Sequence, residues 1–403
     1  MTQTKAEQTA LNALLALNAA GFEAFWVGGC VRDILRGIVP HDYDICTNAH
    51  PEETQRVFSG YRTVLTGARH GTVLVLLNDV PLEITTYRLE SGYSDNRHPD
   101  SVRFTNHLED DLSRRDFTVN AMAYHPDKGV IDRFGGQKDL AEKVIRCVGT
   151  PEKRFSEDAL RMLRAIRFEC QLGFEMTSDT LKAIQKSREK IKQISRERIR
   201  EELTKILLSS HPQAGAKRLN ALLGEEIFGQ TLQQTDELFG FIQQLPADEA
   251  LRYSAFLEEY RNPEAVFRSL RPSSEQLQQV SLLLKLIQQN FPENGYGARL
   301  FCNQAGDKFA LKAALFYDQW QAINNGKADS AMQKQVQQVL LNGDACFLSQ
   351  LAVNGSDLIK AGIKPGKDIG TALDILLDDV LRYPEHNQRE LLLAEIKKRF
   401  SPT

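Results

Sequence analysis

The amino-acid sequence predicts an α+β protein, with a head formed by a small mixed sheet with helices and an all-helical neck, body and tail. Over roughly the first 145 residues, short apolar runs alternate with helix-like segments, and from about Val144 the strand patterns stop. A chain of 403 residues has room for two or more domains, each with its own core. We place the head at 1–145, the neck at 146–210, the body at 211–345 and the tail at 346–403.

The composition excludes several classes of protein. The formal net charge is −3, and the six cysteines include no CxxC pair, so neither a zinc site nor a disulfide framework is indicated. No apolar run is long enough to span a membrane, and the N-terminus lacks the regions of a signal peptide. We expect a cytoplasmic protein with reduced thiols and no membrane partner. A net charge near zero does not exclude RNA binding, because a basic patch can be local.

A candidate phosphate site lies where a short apolar run ends at Gly28 and Gly29 and a helix-like segment carrying Arg32 begins. Glycines before a helix start let backbone N–H groups approach an anion closely. A guanidinium about one turn into the helix can add a charge-assisted hydrogen bond. Because a glycine pair alone is usually a turn, the motif gains weight from the carboxylates that follow it.

Those carboxylates are Asp42 and Asp44, which stand two apart in HDYDI. On a strand, this spacing places both side chains on one face. Such a pair is tolerable where a divalent cation neutralises it, and ligation by oxygen alone suits Mg²⁺. An isolated pair would more often lie in a solvated loop. Together with the glycine turn, it predicts metal-dependent phosphoryl or nucleotidyl transfer.

A hairpin is predicted further along the head. Gly71–Leu77 and Pro81–Tyr87 have strand patterns, and an Asn-Asp turn separates them. Glu83 lies on the returning strand, where it would complete a metal site if that strand neighboured the one carrying the aspartates. The alternative is a surface glutamate. The polar segment 88–107 that follows is predicted to be a loop, and its length is typical of a functional one.

The segment RRDFTVNAM contains three further candidates, which are Arg115, Asp116 and Asn120. Asp116 could cap a following helix, and the arginine could belong to an ordinary basic helix start. That structural interpretation does not explain why an asparagine stands at position 120.

The segment SEDALRMLRAIRF predicts a helix with Ser156 as its N-cap and acidic residues in its first turn. On this helix Asp158, Arg161, Arg164 and Arg167 recur every three residues, so the row drifts slowly round one side. A solvated basic face with ion pairs is the alternative interpretation.

Near the C-terminus, residues 351–370 predict two helices joined by a tight GIKPGK turn. Lys364 and Lys367 could hold an RNA phosphate at the second helix start. An ordinary helix–helix turn explains the segment as well, and the two interpretations stay open.

In combination, GGCVRDILRG with HDYDI, RRDFTVNAM, DRFGGQKDL and EDALRMLRA resemble the motifs of the polymerase-β-like nucleotidyltransferase superfamily, in its class II branch. That branch holds bacterial tRNA CCA-adding enzymes and poly(A) polymerases. The segment LAVNGSDLIKAGIKPGKDIG resembles the tail signature of the CCA-adding enzymes, and a GRRFRLAHV-like signature of poly(A) polymerases is absent from the sequence. The resemblance implies a head sheet of the five-stranded type and a flexible loop at 88–107 that serves the switch from adding C to adding A.

The resemblance also implies roles for particular residues. Asp42 and Asp44, with Glu83, would be catalytic and hold two Mg²⁺, one activating the primer 3′-OH and one stabilising the leaving group. The implied nucleotide-binding residues are Gly28, Gly29, Arg32, Arg115, Asp116, Asn120, Asp158, Arg161, Arg164 and Arg167. Lys364 and Lys367 would contact RNA.

In the family, the pair equivalent to Asp158 and Arg161 acts as an amino-acid template, and hydrogen-bond chemistry agrees with that role. A carboxylate only accepts hydrogen bonds and a guanidinium only donates them. Cytosine offers its N4 amino donor beside the N3 acceptor, and adenine offers N6 beside N1. Uracil and guanine present the opposite pattern and would meet two repulsive contacts.

The resemblance therefore predicts template-independent addition of CCA to tRNA 3′ ends from CTP and ATP, with release of pyrophosphate. The partners would be tRNA and these nucleotides, and not DNA. An A-adding tRNA nucleotidyltransferase and a poly(A) polymerase are alternatives within the enzyme class. A catalytically inactive tRNA-binding protein is the alternative outside it.

Overall fold

A computed structural model describes residues 4–65, 70–92, 101–232, 236–326 and 331–400. The chain forms two compact units, Met1–Gln233 with Ser269–Arg271, and Gln234–Arg268 with Pro272–Thr403. The first unit contains all the strands of the described residues. In the described ranges, none of the helices is both long and apolar enough to cross a membrane.

The strands are short and lie in the first half of the chain. They are β1 (Ala24–Val27), β2 (Asp44–Thr47), β3 (Arg62–Val64), β4 (Thr72–Leu77), β5 (Val80–Thr86), β6 (Arg88–Ser91), β7 (Ser101–Phe104), β8 (Met122–His125), β9 (Gly129–Asp132), β10 (Val144–Ile145) and β11 (Glu175–Met176).

Ten α-helices are described in the first unit. They are α1 (Lys5–Ala19), α2 (Gly29–Leu35), α3 (Pro51–Val57), α4 (Leu108–Ser113), α5 (Gly136–Glu142), α6 (Pro151–Glu157), α7 (Leu160–Leu172), α8 (Ser178–Ser187), α9 (Arg196–Leu207) and α10 (Pro212–Phe228). Short 3-10 helices lie at Thr118–Asn120 and Arg188–Gln193.

The helices of the second unit complete the chain. They are α11 (Asp236–Gln244), α12 (Glu249–Leu257), α13 (Pro263–Ser269), α14 (Ser274–Leu286), α15 (Gly295–Ala305), α16 (Ala310–Asn325), α17 (Ala331–Asn342), α18 (Gly355–Lys360), α19 (Lys367–Arg382) and α20 (Arg389–Phe400). Single 3-10 turns lie at Leu348–Gln350 and Pro384–His386.

The head sheet has seven strands in the order β3-β4-β5-β2-β1-β8-β9, two more than the five-stranded type expected. Every neighbouring pair is antiparallel except β2 and β5, which are parallel. The predicted fold class, a small mixed sheet followed by helices, is confirmed. Apolar side chains cover both faces of the sheet, so the head has a core on each side.

Strand β2 separates the two cores by alternation. Ile45 points into the core that α1 closes, with Leu14 and Trp26. Cys46 points into the opposite core, with Val27 and the residues of α4. Since side chains alternate along a strand, the Asp44 carboxylate lies on the same face as Cys46. The candidate site lies on this face of the sheet, where β2 begins.

The predicted hairpin is formed by β4 and β5. Asn78 and Asp79 both have positive φ, 50° and 64°, which is typical of a two-residue type I′ turn. The turn fixes the register that pairs Leu77 with Val80.

The segment 88–107, predicted to be a loop, contains two strands that pair with each other, one near each end of the segment. Strands β6 and β7 pair antiparallel from Arg88–Phe104 to Ser91–Ser101. Both strands are half exposed and only four residues long, so the alternation of Val102 and Phe104 in β7 is too short to mark a strand in sequence. The part of the predicted flexible loop at 93–100 lies outside the described residues.

Two details of the neck also differ from expectation. A two-residue parallel pair joins β10, at the end of the predicted head, to β11, which lies in the segment 146–210 predicted to be all helical. The predicted helix start at Ser156 is wrong, because Ser156 lies in the last turn of α6 and its hydroxyl donates to the carbonyl of Lys153 at 2.8 Å. Asp158 is extended at φ −144° and accepts the Leu160 N–H at 3.0 Å, so it interrupts the helix by local capping.

Candidate active site

A cleft of about 860 Å³ in the first unit contains the candidate site. It is lined by Gly28, Gly29, Arg32, His41, Asp42, Asp44, Arg114, Arg115, Asp116, Asn120, Asp158, Leu160, Arg161, Arg164, Arg167, Phe168, Gln171, Arg198 and Lys205. The lining holds eight arginine and lysine side chains against four aspartates, so the cleft suits a polyanion.

The cleft brings together every residue predicted to bind nucleotide, and also Asp42 and Asp44. Glu83 is not part of this lining, although it lies one strand away. Lys364 and Lys367 belong to the second unit, where both are exposed at the turn before α19 and at its first residue.

The carboxylates meet through the parallel pairing of β2 and β5. Asp44 is the direct register partner of Glu83. Desolvation by the surrounding protein, followed by the charges of Asp42 and Glu83, raises the pKa of Asp44 from its ordinary 3.8 to about 6. The Asp44 side chain stays open to solvent, so screening moderates this repulsion.

The case for a divalent cation here rests on the type of donor atoms present and not on a complete set of ligands. In the part of the chain that the structure describes, no three His, Cys, Asp or Glu side chains form a group that could hold a metal. Asp42 and Asp44 nevertheless offer only oxygen donors, and their mutual repulsion is what a bound cation would relieve. The donor set therefore fits a hard divalent ion.

Gly28 fixes the turn between β1 and α2. Its φ of 77° and ψ of −132° define a conformation that essentially only glycine adopts. A Cβ at this position would lie 2.9 Å from Nη1 of Arg115. The glycine thus lets the arginine head pack directly against the backbone at the start of α2.

Arg32 is held from two sides. Its Nε and Nη2 donate to Asp33 at 2.9 and 3.0 Å, and its Nη1 donates to Oδ1 of Asn120 at 2.7 Å. The Asn120 amide nitrogen in turn donates to Oδ1 of Asp116 at 3.3 Å. Asn120, which a capping role left unexplained, therefore links the arginine of α2 to Asp116.

Asp116 forms a two-point ion pair with Arg164 in the cleft. Nε and Nη2 of Arg164 both donate to its Oδ2, at 2.8 and 2.5 Å, and the Phe117 N–H donates to Oδ1 at 2.8 Å. Burial alone would raise the pKa of Asp116, but the adjacent Arg164 outweighs it and lowers the pKa to about 2. Asp116 is therefore a permanent anion, and the protein itself supplies four hydrogen bonds to it.

A fully buried carboxylate behind the cleft orients the arginine pair of RRDFTVNAM. Arg114 donates to Oδ1 of Asp111 from Nε and Nη2 at 2.9 and 2.6 Å, and Arg115 donates to Oδ2 at 3.2 Å. Burial would raise the pKa of Asp111, yet the two guanidinium groups hold it below its usual range. Sequence analysis missed Asp111, because its importance depends on burial rather than on a motif.

The pair expected to recognise the base is present, but each member has its own protein partner. Asp158 accepts Nη1 and Nη2 of Arg198 at 3.4 and 2.8 Å, in addition to the Leu160 N–H. Arg161 donates from Nη1 to Glu157 at 2.6 Å. These contacts fix the orientation of both side chains. They leave Oδ2 of Asp158 able to accept a further hydrogen bond.

Arg198 comes from α9, which packs along α7. Arg198 was not among the residues predicted from the sequence, because the 3.6-residue pattern of this charged helix gives no sign of a side chain in the cleft. His41, Arg114, Leu160, Phe168, Gln171 and Lys205 also line the cleft and were missed. Spacing relative to Arg164 and Arg167 could have identified Leu160, Phe168 and Gln171, since all five residues lie on α7 and these three are four residues from one of the two arginines.

Comparisons with known proteins agree with this architecture. The model "Poly A polymerase head domain" matches residues 24–146, the model "Probable RNA and SrmB- binding site of polymerase A" matches 173–222, and a tRNA nucleotidyltransferase domain 2 model matches 247–396. The CCA-adding enzyme of Lactobacillus helveticus is 37% identical over 91% of this chain and 90% of the relative. That of Lactobacillus delbrueckii subsp. bulgaricus is 38% identical over 92% and 93%.

A solved structure is similar over almost its whole length. The CCA-adding enzyme of Bacillus stearothermophilus in complex with CTP matches with a TM-score of 0.82 at 28% identity, covering 98% of both chains. The fold of this chain, a head with a mixed sheet and a cleft followed by helices, is thus that of a nucleotidyltransferase. The chain belongs to the CCA-adding enzyme family.

Proposed function

We propose that the protein adds CCA to the 3′ end of tRNA without a nucleic-acid template, using CTP and ATP and releasing pyrophosphate. The observation that carries this proposal is the single cleft that joins Asp42 and Asp44, at the start of β2, to arginines from four further segments of the chain. Family membership supplies the tRNA substrate, because relatives named CCA-adding enzyme cover most of the chain.

The phosphates would be bound on the basic side of the cleft. Gly28 and Gly29 bring the backbone of α2 close to an anion, and Arg32 and Arg115 flank it. Arg164 and Arg167 extend the positive charge along α7. The 3′ hydroxyl of the tRNA gives up its proton to solvent, its oxygen bonds to the α-phosphorus, and the bond from that phosphorus to the pyrophosphate oxygen breaks.

The metal would be Mg²⁺. Enzymes of this family are nucleotidyltransferases that generally use divalent metals, and Asp42 and Asp44 are the residues of this chain that would hold the ion, with Glu83 beside them. When bound, it would neutralise charge at the reacting phosphate and activate the attacking hydroxyl. The aspartates would hold the ion where β2 begins, and a second ion of the same kind belongs to this proposal.

Ribose recognition by Asp116 requires one existing contact to move. The carboxylate already accepts four hydrogen bonds from Arg164, Phe117 and Asn120, which is about its full capacity. A ribose hydroxyl would therefore replace one of these donors. Arg164 is the most suitable, because its freed guanidinium could then contact phosphate.

Base selection would rest on Asp158 and Arg161. Arg198 and Glu157 hold these two side chains from behind, so the pair can keep one fixed donor–acceptor pattern for both cytosine and adenine. Uracil and guanine would each leave two polar groups mismatched, at roughly 1–3 kcal/mol per group.

The remaining assignments stay predictions. They are the four-part division at 1–145, 146–210, 211–345 and 346–403, RNA contacts from Lys364 and Lys367 in the tail, and a cytoplasmic location. Lys364 and Lys367 are exposed beside the glycine that precedes α19, where Gly366 has φ 114°. This position agrees equally with a plain helix–helix turn.

The test uses purified protein and tRNA transcripts that end at the discriminator base, at C and at CC. Each is incubated with Mg²⁺ and one or more labelled nucleotides, and products are sized on a gel. We expect addition of C, C and one A, with UTP and GTP refused. Activity only with ATP on the CC-ending transcript would establish an A-adding enzyme, and long A tails on any RNA would establish a poly(A) polymerase.

An inactive tRNA-binding protein is tested by Asp42→Ala. We expect this variant to lose addition while it keeps tRNA binding in a gel-shift assay. Retained addition would refute the assignment of the metal ligands.

A further inference from the structure

The ring of Phe168 is shared by three arginines of the cleft. The Cζ atoms of Arg167, Arg164 and Arg32 lie 4.4, 5.4 and 5.5 Å from the ring centroid. Phe168 itself lines the cleft and is 7% exposed. Guanidinium groups within about 6 Å of a phenyl ring are attracted by its quadrupole.

Each of these arginines has a separate carboxylate partner on a separate segment. Arg32 pairs with its neighbour Asp33, Arg164 pairs with Asp116, and Arg167 pairs with Glu202 of α9 at 3.2 Å. Asn120 and Asp116 link Arg32 to Arg164, but these ion pairs do not tie the guanidinium of Arg167 to the other two. The ring is the group that contacts all three.

The ring is itself held in place. Phe117 packs against it edge-on, with centroids 5.7 Å apart and planes at 78°. Phe117 follows Asp116 directly, so the same contact ties α7 to the RRDFTVNAM segment. A rigid ring at this position can set the spacing of three like charges whose mutual repulsion would otherwise spread them.

We propose that Phe168 is a positioning residue that gathers Arg32, Arg164 and Arg167 into one array for the nucleotide triphosphate. This inference rests on the proposed function, because it assigns the array to that substrate. An aliphatic side chain of similar size would fill the space but would not attract the guanidinium groups. The ring acts on binding and not on the reacting atoms.

The test replaces Phe168 by phenylalanines with increasing ring fluorination, which keep the size of the side chain and progressively weaken its quadrupole. We expect KM for CTP and for ATP to rise with each step, reaching about tenfold for the fully fluorinated ring. The value of kcat should change little, because the arginines bind substrate and transition state alike. Phe168→Tyr should keep most of the affinity, and Phe168→Leu should match the fully fluorinated variant.

Phe155 is the matched control. It is fully buried in the neck, and none of the cation–π contacts found among the described residues involves its ring. Fluorination there should leave KM unchanged. A flat KM across the Phe168 series, or an equal response at both positions, would overturn the positioning role.

The affinity for inorganic pyrophosphate, measured by calorimetry, separates this inference from the proposed function. If the wild-type protein adds no CCA, but the Phe168 variants bind pyrophosphate more weakly at each fluorination step, the proposed function fails and the array stands. If it adds CCA but neither KM nor pyrophosphate affinity responds, the array fails alone. Absence of both activity and pyrophosphate binding would overturn both.

Discussion

Asp116 and Arg164 form a two-point ion pair in which Nε and Nη2 of the arginine both donate to Oδ2 of the carboxylate. The aspartate follows α4 and the arginine lies on α7, 48 residues later. The pair therefore joins the segment proposed to bind ribose to the helix proposed to bind base and phosphate. Removal of the arginine would leave the carboxylate charge buried without its main partner.

Arg164→Met should accordingly destabilise the protein by about 3 kcal/mol. The free energy of unfolding from urea titration measures the loss. The double variant Asp116→Asn with Arg164→Met should recover much of it. Arg133→Met is the control, since Arg133 pairs with Glu109 at the surface with both side chains 61% exposed, and it should cost at most about 0.5 kcal/mol. Equal losses for the two arginines would contradict a buried pair.

Asp44→Asn should stabilise the metal-free protein at pH 8. The pKa of Asp44 is raised to about 6 in the folded chain from 3.8, so the folded state binds more protons between these values and stability falls as pH rises through them. The gain should be no more than about 1 kcal/mol, because the side chain is open to solvent. It should shrink as pH falls below 6 and vanish near 4.

With Mg²⁺ bound, the wild type should be more stable than Asp44→Asn, which is the opposite of the order expected without metal. Melting temperatures with EDTA and with Mg²⁺ should show stabilisation of the wild type and little effect on Asp44→Asn. Asp127→Asn is the control, because Asp127 is 85% exposed and lies outside the cleft. An identical Mg²⁺ response in wild type and Asp44→Asn would exclude Asp44 as a ligand.

Gly28→Ala should weaken nucleotide binding as well as the fold. The new Cβ would meet Nη1 of Arg115 at 2.9 Å, and the backbone strain should cost about 1–3 kcal/mol. Gly37→Ala is the control, since Gly37 also has positive φ, 71°, but a Cβ added there would meet no described atom within 4 Å. KM for CTP should rise in Gly28→Ala and stay near wild type in Gly37→Ala. A similar rise in both would show strain rather than displacement of Arg115.

Arg198→Met should relax the choice between CTP and UTP, because Asp158 would lose the guanidinium that orients it. The ratio of kcat/KM for CTP over UTP should fall roughly tenfold. Arg196→Met is matched on the same helix, where Arg196 donates to the carbonyl of Ile227 at 2.7 Å. It should lower stability and leave the ratio unchanged. An unchanged ratio in Arg198→Met would contradict the positioning of Asp158.

The sequence allowed the parts of the site that depend on local pattern to be predicted. Turn chemistry placed the hairpin that carries Glu83. Alternation predicted Asp42 and Asp44 on one face of a strand, but β2 begins at Asp44 and Asp42 lies two residues before it, although both line the cleft. Family motifs then led to ten nucleotide-binding candidates, all of which line the cleft. That the strand of Glu83 neighbours the strand of Asp44 was an expectation, and only the tertiary structure could establish their parallel pairing and register.

The remaining features depend on contacts between distant segments. Asp158 breaks the predicted helix because its carboxylate caps Leu160 and receives Arg198 from another helix. Asp111 gains its role from complete burial beneath two arginines. The ring of Phe168 looks like an ordinary core position in sequence. Helical spacing could place Phe168 near the arginines, but the contacts that give Asp158, Asp111 and this ring their roles come from distant segments and required the folded chain.

Competition between nucleotides tests most directly the claim that one cleft serves both cytosine and adenine through Asp158 and Arg161. Labelled CTP would be bound to the protein and displaced by ATP, UTP or GTP at equilibrium. The account predicts that ATP displaces all the CTP with an inhibition constant equal to its own Kd. UTP and GTP should compete at least roughly tenfold more weakly, and Asp158→Ala should lose that difference. Simultaneous binding of CTP and ATP, or UTP binding as tight as CTP, would contradict it.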